Sequence, residues 1–297
     1  MKRPATILTA MVTPFDARGS VNAGEAKRLA TWLVDRGNDG LVVAGSTGEG
    51  QTLDAREREA LVRSVKEAVA GRALVVANAG SNDTRDSVGA VREAEAAGAD
   101  AILAVVPYYN KPPQSGMIAH FSAIADATSL PVFVYNIPGR TGANMLPETL
   151  LELARRRKNV AGVKESSGDL KQIATILRDR GDGFVVWAGD DHLFLPTLAL
   201  GGDGVVGVAS HLCSREYRRM FDAFRAGETA EAARIHASLL DLIDALFATS
   251  SPIPVKWAMA QLGFDVGACR LPLDAMPAAL ADRLRPLLAP YAAAAMS

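Results

Sequence analysis

Eight short apolar runs recur along the chain: ILTAMVTPF (7–15), GLVVAG (40–45), ALVVANAG (73–80), AILAVVP (101–107), PVFVYNIP (131–138), VAGVKES (160–166), FVVWAGD (184–190) and GVVGVAS (204–210). Most are rich in Val and Ile and lack polar alternation, which is how strands buried on both faces of a parallel sheet read. Between them lie stretches such as AGEAKRLATWLVDRG and SVGAVREAEAAGAD, with apolar positions at helical spacing and glycine near the exit. A strand-then-helix unit every ~30 residues predicts a closed (β/α)8 TIM barrel, an α/β fold, over an open doubly wound sheet. After residue 211 no further strand is predicted, and ETAEAARIHASLLDLIDALFA, VKWAMAQLG and MPAALADRLRPLLAPYAAAA read as helices. The expected division is residues 1–211 for the barrel strands and most barrel helices, then 212–297 for the last barrel helix and a C-terminal helical extension.

Composition narrows the function. With 297 residues, 49% hydrophobic and 22% charged, the chain is an ordinary globular one, and a net charge of −1 gives no basic surface for nucleic acid. No run approaches 18 apolar residues, and Thr and Pro interrupt the start too early for a signal segment, so a cytoplasmic protein without a membrane span is expected. Cys213 and Cys269 are far apart and read as reduced and incidental.

In such barrels chemistry lies at the C-terminal strand ends. There the runs give way to GSTGEG (45–50), PYYNKPP (107–113), YNIPGRTG (135–142), ESSGD (165–169), GDD (189–191) and ASH (209–211). Arginine outnumbers lysine 24 to 8, so a single lysine closing a buried run stands out: Lys164. It is either a solvated or salt-bridged strand-end lysine, or a desolvated amine able to form a Schiff base with a keto acid. Hydroxyls at Ser46, Thr47, Tyr109 and Tyr135 offer the proton carriers that carbinolamine formation and dehydration need. Arg140 offers a bidentate clamp for a carboxylate.

GSTGEG lacks the Lys-Ser/Thr that ends a nucleotide phosphate loop. It is either a plain βα turn or one that presents backbone N–H groups of Ser46 and Thr47 to a carboxylate. His120, His192, His211 and His236 show no paired ligand spacing, and GDD supplies two carboxylates where a hard cation needs a larger oxygen shell. No metal site is expected.

With these residues in view, the sequence resembles the pyruvate-dependent Schiff-base lyases related to dihydrodipicolinate synthase and N-acetylneuraminate lyase. The likeness runs nearly end to end, through TAMVTPF, LVDRGNDGLVVAGSTGE, PYYNKPPQSGMIAHF, YNIPGRTG, GVKESSGD, AGDD and PIPVKWAMAQLG…RLPL. YNIPGRTG and the C-terminal pair point to the dihydrodipicolinate synthase family. The resemblance implies condensation of pyruvate with L-aspartate 4-semialdehyde on the diaminopimelate–lysine route, without a cofactor. It implies Lys164 as the imine-forming amine and Tyr135 as the general acid/base, relaying protons through Ser46 and through Tyr109 of a partner subunit. Thr47, with Ser46, would hold the pyruvate carboxylate; Arg140 would hold that of the semialdehyde, and Gly45 and Val206 are further substrate-binding positions. A homotetramer built of tight dimers is implied as well.

Ser46 stands where these synthases usually carry Thr, and GSTGE is commoner in sialate lyases and other aldolases. The alternative reading is therefore another pyruvate-dependent aldolase, cleaving a 4-hydroxy-2-oxo acid; Ser46 favours it and IPGRTG opposes it. A non-catalytic paralogue is a third reading, opposed by the intact set of reactive residues. The positions matching the feedback site of lysine-regulated members are Ala55, Arg58, Asn82, Asp86 and Tyr108. Ala55 and Arg58 replace histidines there, so weak or absent inhibition by lysine is expected.

Overall fold

The structure, a computed structural model, describes residues 5–291. Eight strands follow the eight apolar runs: β1 (Ile7–Ala10), β2 (Gly40–Val43), β3 (Leu74–Asn78), β4 (Ala101–Val105), β5 (Val132–Asn136), β6 (Val160–Glu165), β7 (Val185–Ala188) and β8 (Gly204–Gly207). They close a barrel in sequence order, with helices between them, and no strand follows β8 among the described residues. This is a TIM barrel. The strands are shorter than the runs because burial outlasts the regular ladder: Met11 and Val12, beyond β1, are still 2% and 0% exposed. The helix expected over 276–295 is described as Ala278–Leu284 followed by a 3₁₀ turn, Arg285–Leu288; its final residues lie outside the described ones.

The described residues fall into two compact units. One joins residues 5–6 to Leu74–Val206; the other joins Ile7–Ala73 to 207–291. In the first, β3 to β7 and most of β8 run parallel, and β5 pairs with β6 through Tyr135↔Lys164 and Asn136↔Glu165. The Phe133 and Trp187 rings stack 4.3 Å apart between centroids. Gly162 permits this, since a Cβ there would lie 2.3 Å from the Val185 carbonyl and 3.0 Å from the Phe133 ring.

One local device repeats in each unit by itself. The aspartate just before β2, β4 and β8 accepts a hydrogen bond from a backbone N–H of the preceding strand: Asp39 from Ile7 (3.0 Å), Asp100 from Val75 (2.9 Å) and Asp203 from Val186 (2.8 Å). These carboxylates hold register at the N-terminal ends, where a barrel keeps its stability. In the second unit, His211 ties the start of its helix to the segment after β1: its Nε2 accepts the Val12 N–H at 3.1 Å, and its Nδ1 lies 2.8 Å from the Val208 carbonyl. Burial pushes this imidazole down to about 4. Among the described residues, no helix is long and apolar enough to cross a membrane.

Candidate active site

The reactive groups of the first unit gather where β5, β6 and β7 end. A parallel ladder puts register partners side by side, so the Tyr135↔Lys164 pairing brings ring and amine to the same face. Lys164 is 5% exposed and Tyr135 7%, and the ammonium Nζ lies 4.2 Å from the ring centroid. Of the two readings of Lys164, burial rules out the solvated one. Among the described residues no carboxylate lies within ion-pairing distance of it. The tyrosine ring face, a weak cation partner, is what it meets.

The next residue along each strand points the other way. Asn136 Nδ2 donates to both oxygens of Glu165 (3.1 Å each) and to Asn144 Oδ1 (2.8 Å). Gln172 Nε2 and the Ser167 N–H also donate to Glu165, at 3.2 and 2.8 Å. Burial pushes the Glu165 carboxyl up, and these donors work against it. Side-chain amides and a backbone N–H, all uncharged, thus hold a buried acid directly behind Lys164, locking β5 to β6 where the pair sits.

β7 supplies a wall made of main chain. A Cβ on Gly189 would fall 1.7 Å from Ser166 Oγ and 3.1 Å from Lys164 Cε, so any side chain there would have to turn the Ser166 hydroxyl aside and press on the lysine. Ser166 Oγ is buried and has no hydrogen-bond partner among the described residues. Burial pushes the neighbouring Asp190 carboxyl up, while the Lys164 charge and, more weakly, that of Arg140 pull it down.

Arg140 is exposed on the one-turn helix Pro138–Thr141, which Pro138 starts and Gly142 ends with a left-handed φ of 71°. The loop after β4 rests on that turn: the Tyr109 N–H donates to the Thr141 carbonyl at 3.2 Å. Tyr109 itself is 88% exposed at a φ of 72°, a strained conformation for a bulky residue. Val206, on β8, is fully buried.

In the second unit, Gly45, Ser46 and Thr47 follow β2 in a tight turn. Ala44 and Glu49 bracket it with φ of 56° and 52°, and Gly50 N–H donates back to the Gly45 carbonyl at 3.0 Å. Gly50 has no alternative, since a Cβ would lie 1.8 Å from the Ala44 carbonyl oxygen. Thr47 is buried; Ser46 is half-buried. Among the described residues, no group of three or more His, Cys, Asp or Glu is arranged to hold a metal ion.

Sequence reasoning singled out Lys164, Tyr109, Tyr135, Arg140 and the GSTGE turn as candidates, and the structure sets Lys164 and Tyr135 side by side. It missed Asn136, Glu165 and Ser166 around the amine, and took Gly189 and Asp190 only as part of a rejected cation motif. Their signal was position: each lies within two residues of the C-terminal end of β5, β6 or β7.

A parallel barrel with a buried amine against a tyrosine fits an enzyme of the covalent, imine-forming kind. The chain belongs to the dihydrodipicolinate synthetase family, whose model matches residues 3–289. It is 52% identical over 267 residues to the 4-hydroxy-tetrahydrodipicolinate synthase of Moorella thermoacetica, covering 90% of this chain and 91% of that one. It is 48% identical to the Bacillus subtilis protein of the same name, over 90% and 92% of the two chains. Among solved structures, dihydrodipicolinate synthase from Cyanidioschyzon merolae, with lysine bound, superposes at a TM-score of 0.94 with 47% identity over 96% of this chain and 97% of that one. The Aquifex aeolicus enzyme gives 0.93, with 38% identity over 97% and 98%.

Proposed function

We propose that this chain condenses pyruvate with L-aspartate 4-semialdehyde, the activity of a 4-hydroxy-tetrahydrodipicolinate synthase, through an imine on Lys164. The observation that carries the reading is the buried Lys164 amine against Tyr135, in a chain of this family. The amine adds to the pyruvate C2 carbonyl; the carbinolamine loses water and leaves a protonated imine. Loss of a methyl proton gives the enamine, whose carbon attacks the aldehyde. That step forms the carbon–carbon bond, and a proton quenches the new alkoxide. The imine nitrogen is the electron sink, so the chemistry calls for no metal and no external cofactor.

Tyr135 is the acid/base for these transfers, passing protons through Ser46 and Tyr109. Ser46 and Thr47 take the pyruvate carboxylate, with Gly45 and Val206 as further substrate contacts, and Arg140 takes the carboxylate of the semialdehyde. The exposure and strain of Tyr109 suit a residue that serves a neighbouring subunit, in a tight dimer that pairs into a homotetramer. The setting is cytoplasmic lysine and diaminopimelate biosynthesis.

Borohydride added with pyruvate is expected to reduce the imine and leave a stable mass on the peptide carrying Lys164. A label on Lys111 or Lys171 instead overturns the assignment. Ser46 keeps a second reading in play, another pyruvate-dependent aldolase. A panel of aspartate semialdehyde against cleavage of sialate and hydroxy-oxo-glutarate separates the two.

A further inference from the structure

The second unit buries a lysine that the reaction does not use. Lys256, on the helix Ile253–Gln261, is 2% exposed, and its Nζ donates to Glu49 Oε1 at 2.8 Å and to the Ala268 carbonyl at 3.0 Å. Glu49 is 0% exposed, and its other oxygen accepts the Arg270 N–H at 2.7 Å. Burial and, after it, the Glu49 carboxylate push the nearby Cys269 thiol up to about 11. Phe15 lies under both cations, with Lys256 Nζ and the Arg270 guanidinium each 4.3 Å from the ring centroid.

A buried ion pair is a weak source of stability, because desolvation consumes most of its attraction, but it fixes one geometry where an apolar pair would slide. What this pair fixes is the backbone of Glu49, which ends the GSTGE turn. The Glu49 N–H donates to the Ser46 carbonyl at 3.2 Å, and its φ of 52° is one that a non-glycine residue adopts at a cost. Thr13 Oγ1 holds the Gly48 carbonyl at 2.5 Å from the other side. The turn is thus clamped through a carboxylate whose partners lie more than 200 residues downstream.

We propose that the Glu49–Lys256 pair is a positioning device that sets the affinity for the keto acid, by holding the Gly45–Thr47 turn in the conformation that receives its carboxylate. This rests on the reading that Ser46 and Thr47 bind pyruvate. Neither residue of the pair touches a reacting atom. Its effect falls on the first substrate alone, since the second is gripped elsewhere.

The test uses the full chain. Lys256→Met strands a buried carboxylate and is prone to misfold, so the decisive variant is the double one, Glu49→Gln with Lys256→Met. It removes both charges and keeps the volume and an acceptor for the Arg270 N–H. The double variant is expected to fold with a somewhat lower thermal midpoint, because the Ala268 carbonyl loses its donor and the amide N–H introduced at position 49 has no acceptor in place of Lys256. Its KM for pyruvate should rise about tenfold or more while the KM for the second substrate stays within about twofold; kcat should fall by less than the pyruvate KM rises, since Ser46 on the same turn also relays protons. A folded double variant with an unchanged pyruvate KM overturns the proposal, as do equal rises in both KM values. Thr47→Val, measured alongside, tests the underlying reading separately. If it leaves pyruvate binding intact, the carboxylate does not rest on the Thr47 hydroxyl; if it weakens binding while the double variant does not, only the clamp fails.

Discussion

Tyr135 and Lys164 are register partners on adjacent strands, and the lysine Nζ lies 4.2 Å from the centre of the tyrosine ring. The strand ladder sets the separation, and Asn136 bonded to Glu165 one residue on makes it stiff. In the proposed reaction, a tyrosine ring held this way has little reorganising to do before it serves as acid/base.

Tyr135→Phe keeps the ring that the lysine packs on and removes a hydroxyl. Its thermal midpoint should stay near the parent's, while turnover falls by ~10²–10⁴-fold, the range for one general acid/base. Tyr109→Phe should be crippled too. If Tyr109 acts across an interface, mixing the two variants and letting subunits exchange should restore part of the activity. No recovery after demonstrated exchange would place Tyr109 in its own subunit's site.

Arg140→Ala should separate the two substrates. Charge-assisted hydrogen bonds to a carboxylate contribute about 1.5–3 kcal/mol, so the KM for aspartate semialdehyde should rise by roughly ten- to a hundredfold. Imine formation with pyruvate, followed by borohydride trapping, should proceed nearly as before. Equal loss of both steps would make Arg140 an organiser of the whole site.

His211 predicts acid sensitivity. Its folded value, about 4, lies below the ordinary 6.5, so the unfolded chain takes up the proton first as pH falls. The stabilising contribution is whole above pH ~6.5 and is lost progressively toward pH ~4, at no more than about 1.4 kcal/mol per pH unit for a single group. His211→Gln retains an acceptor for the Val12 N–H but cannot titrate. Urea midpoints across this window should fall less steeply for the variant than for the parent; parallel slopes would exonerate His211.

Lysine should inhibit weakly or not at all. Arg58 is permanently charged, and its Nη1 is anchored on the Leu53 carbonyl at 2.7 Å. Held ~4 Å from a bound ammonium, it would repel it by roughly 1–4 kcal/mol, or ~5- to 1000-fold in affinity. Titrating the active enzyme with lysine decides the matter. Inhibition well below a millimolar would show the charge to be harmless, whereas inhibition appearing in Arg58→His would confirm its role.

The strands were legible because strands buried on both faces demand unbroken apolar runs, and Lys164 was legible because it interrupts one. By the same criterion Lys256, inside PIPVKWAMA, stood out equally and was passed over. Its partner, Glu49, lies in a glycine-rich turn where an acid reads as solvated. Glu165 was hidden in the same way, beside two serines and a glycine. Local pattern reports burial well and pairing poorly: Glu49 and Lys256 meet across 207 residues, and no periodicity carries that contact. Tyr109 was visible as a hydroxyl, but not as a strained, outward-facing one, because the φ of a loop residue depends on what its neighbours hold down.

Gly189, finally, limits how this enzyme can be remodelled. Anything larger at that point must turn Ser166 aside and crowd Lys164, and nothing smaller exists, so a substitution on this side of the amine acts on the amine itself. Room for a bulkier keto acid is gained at walls made of side chains that can be shortened, since glycine has none to give up.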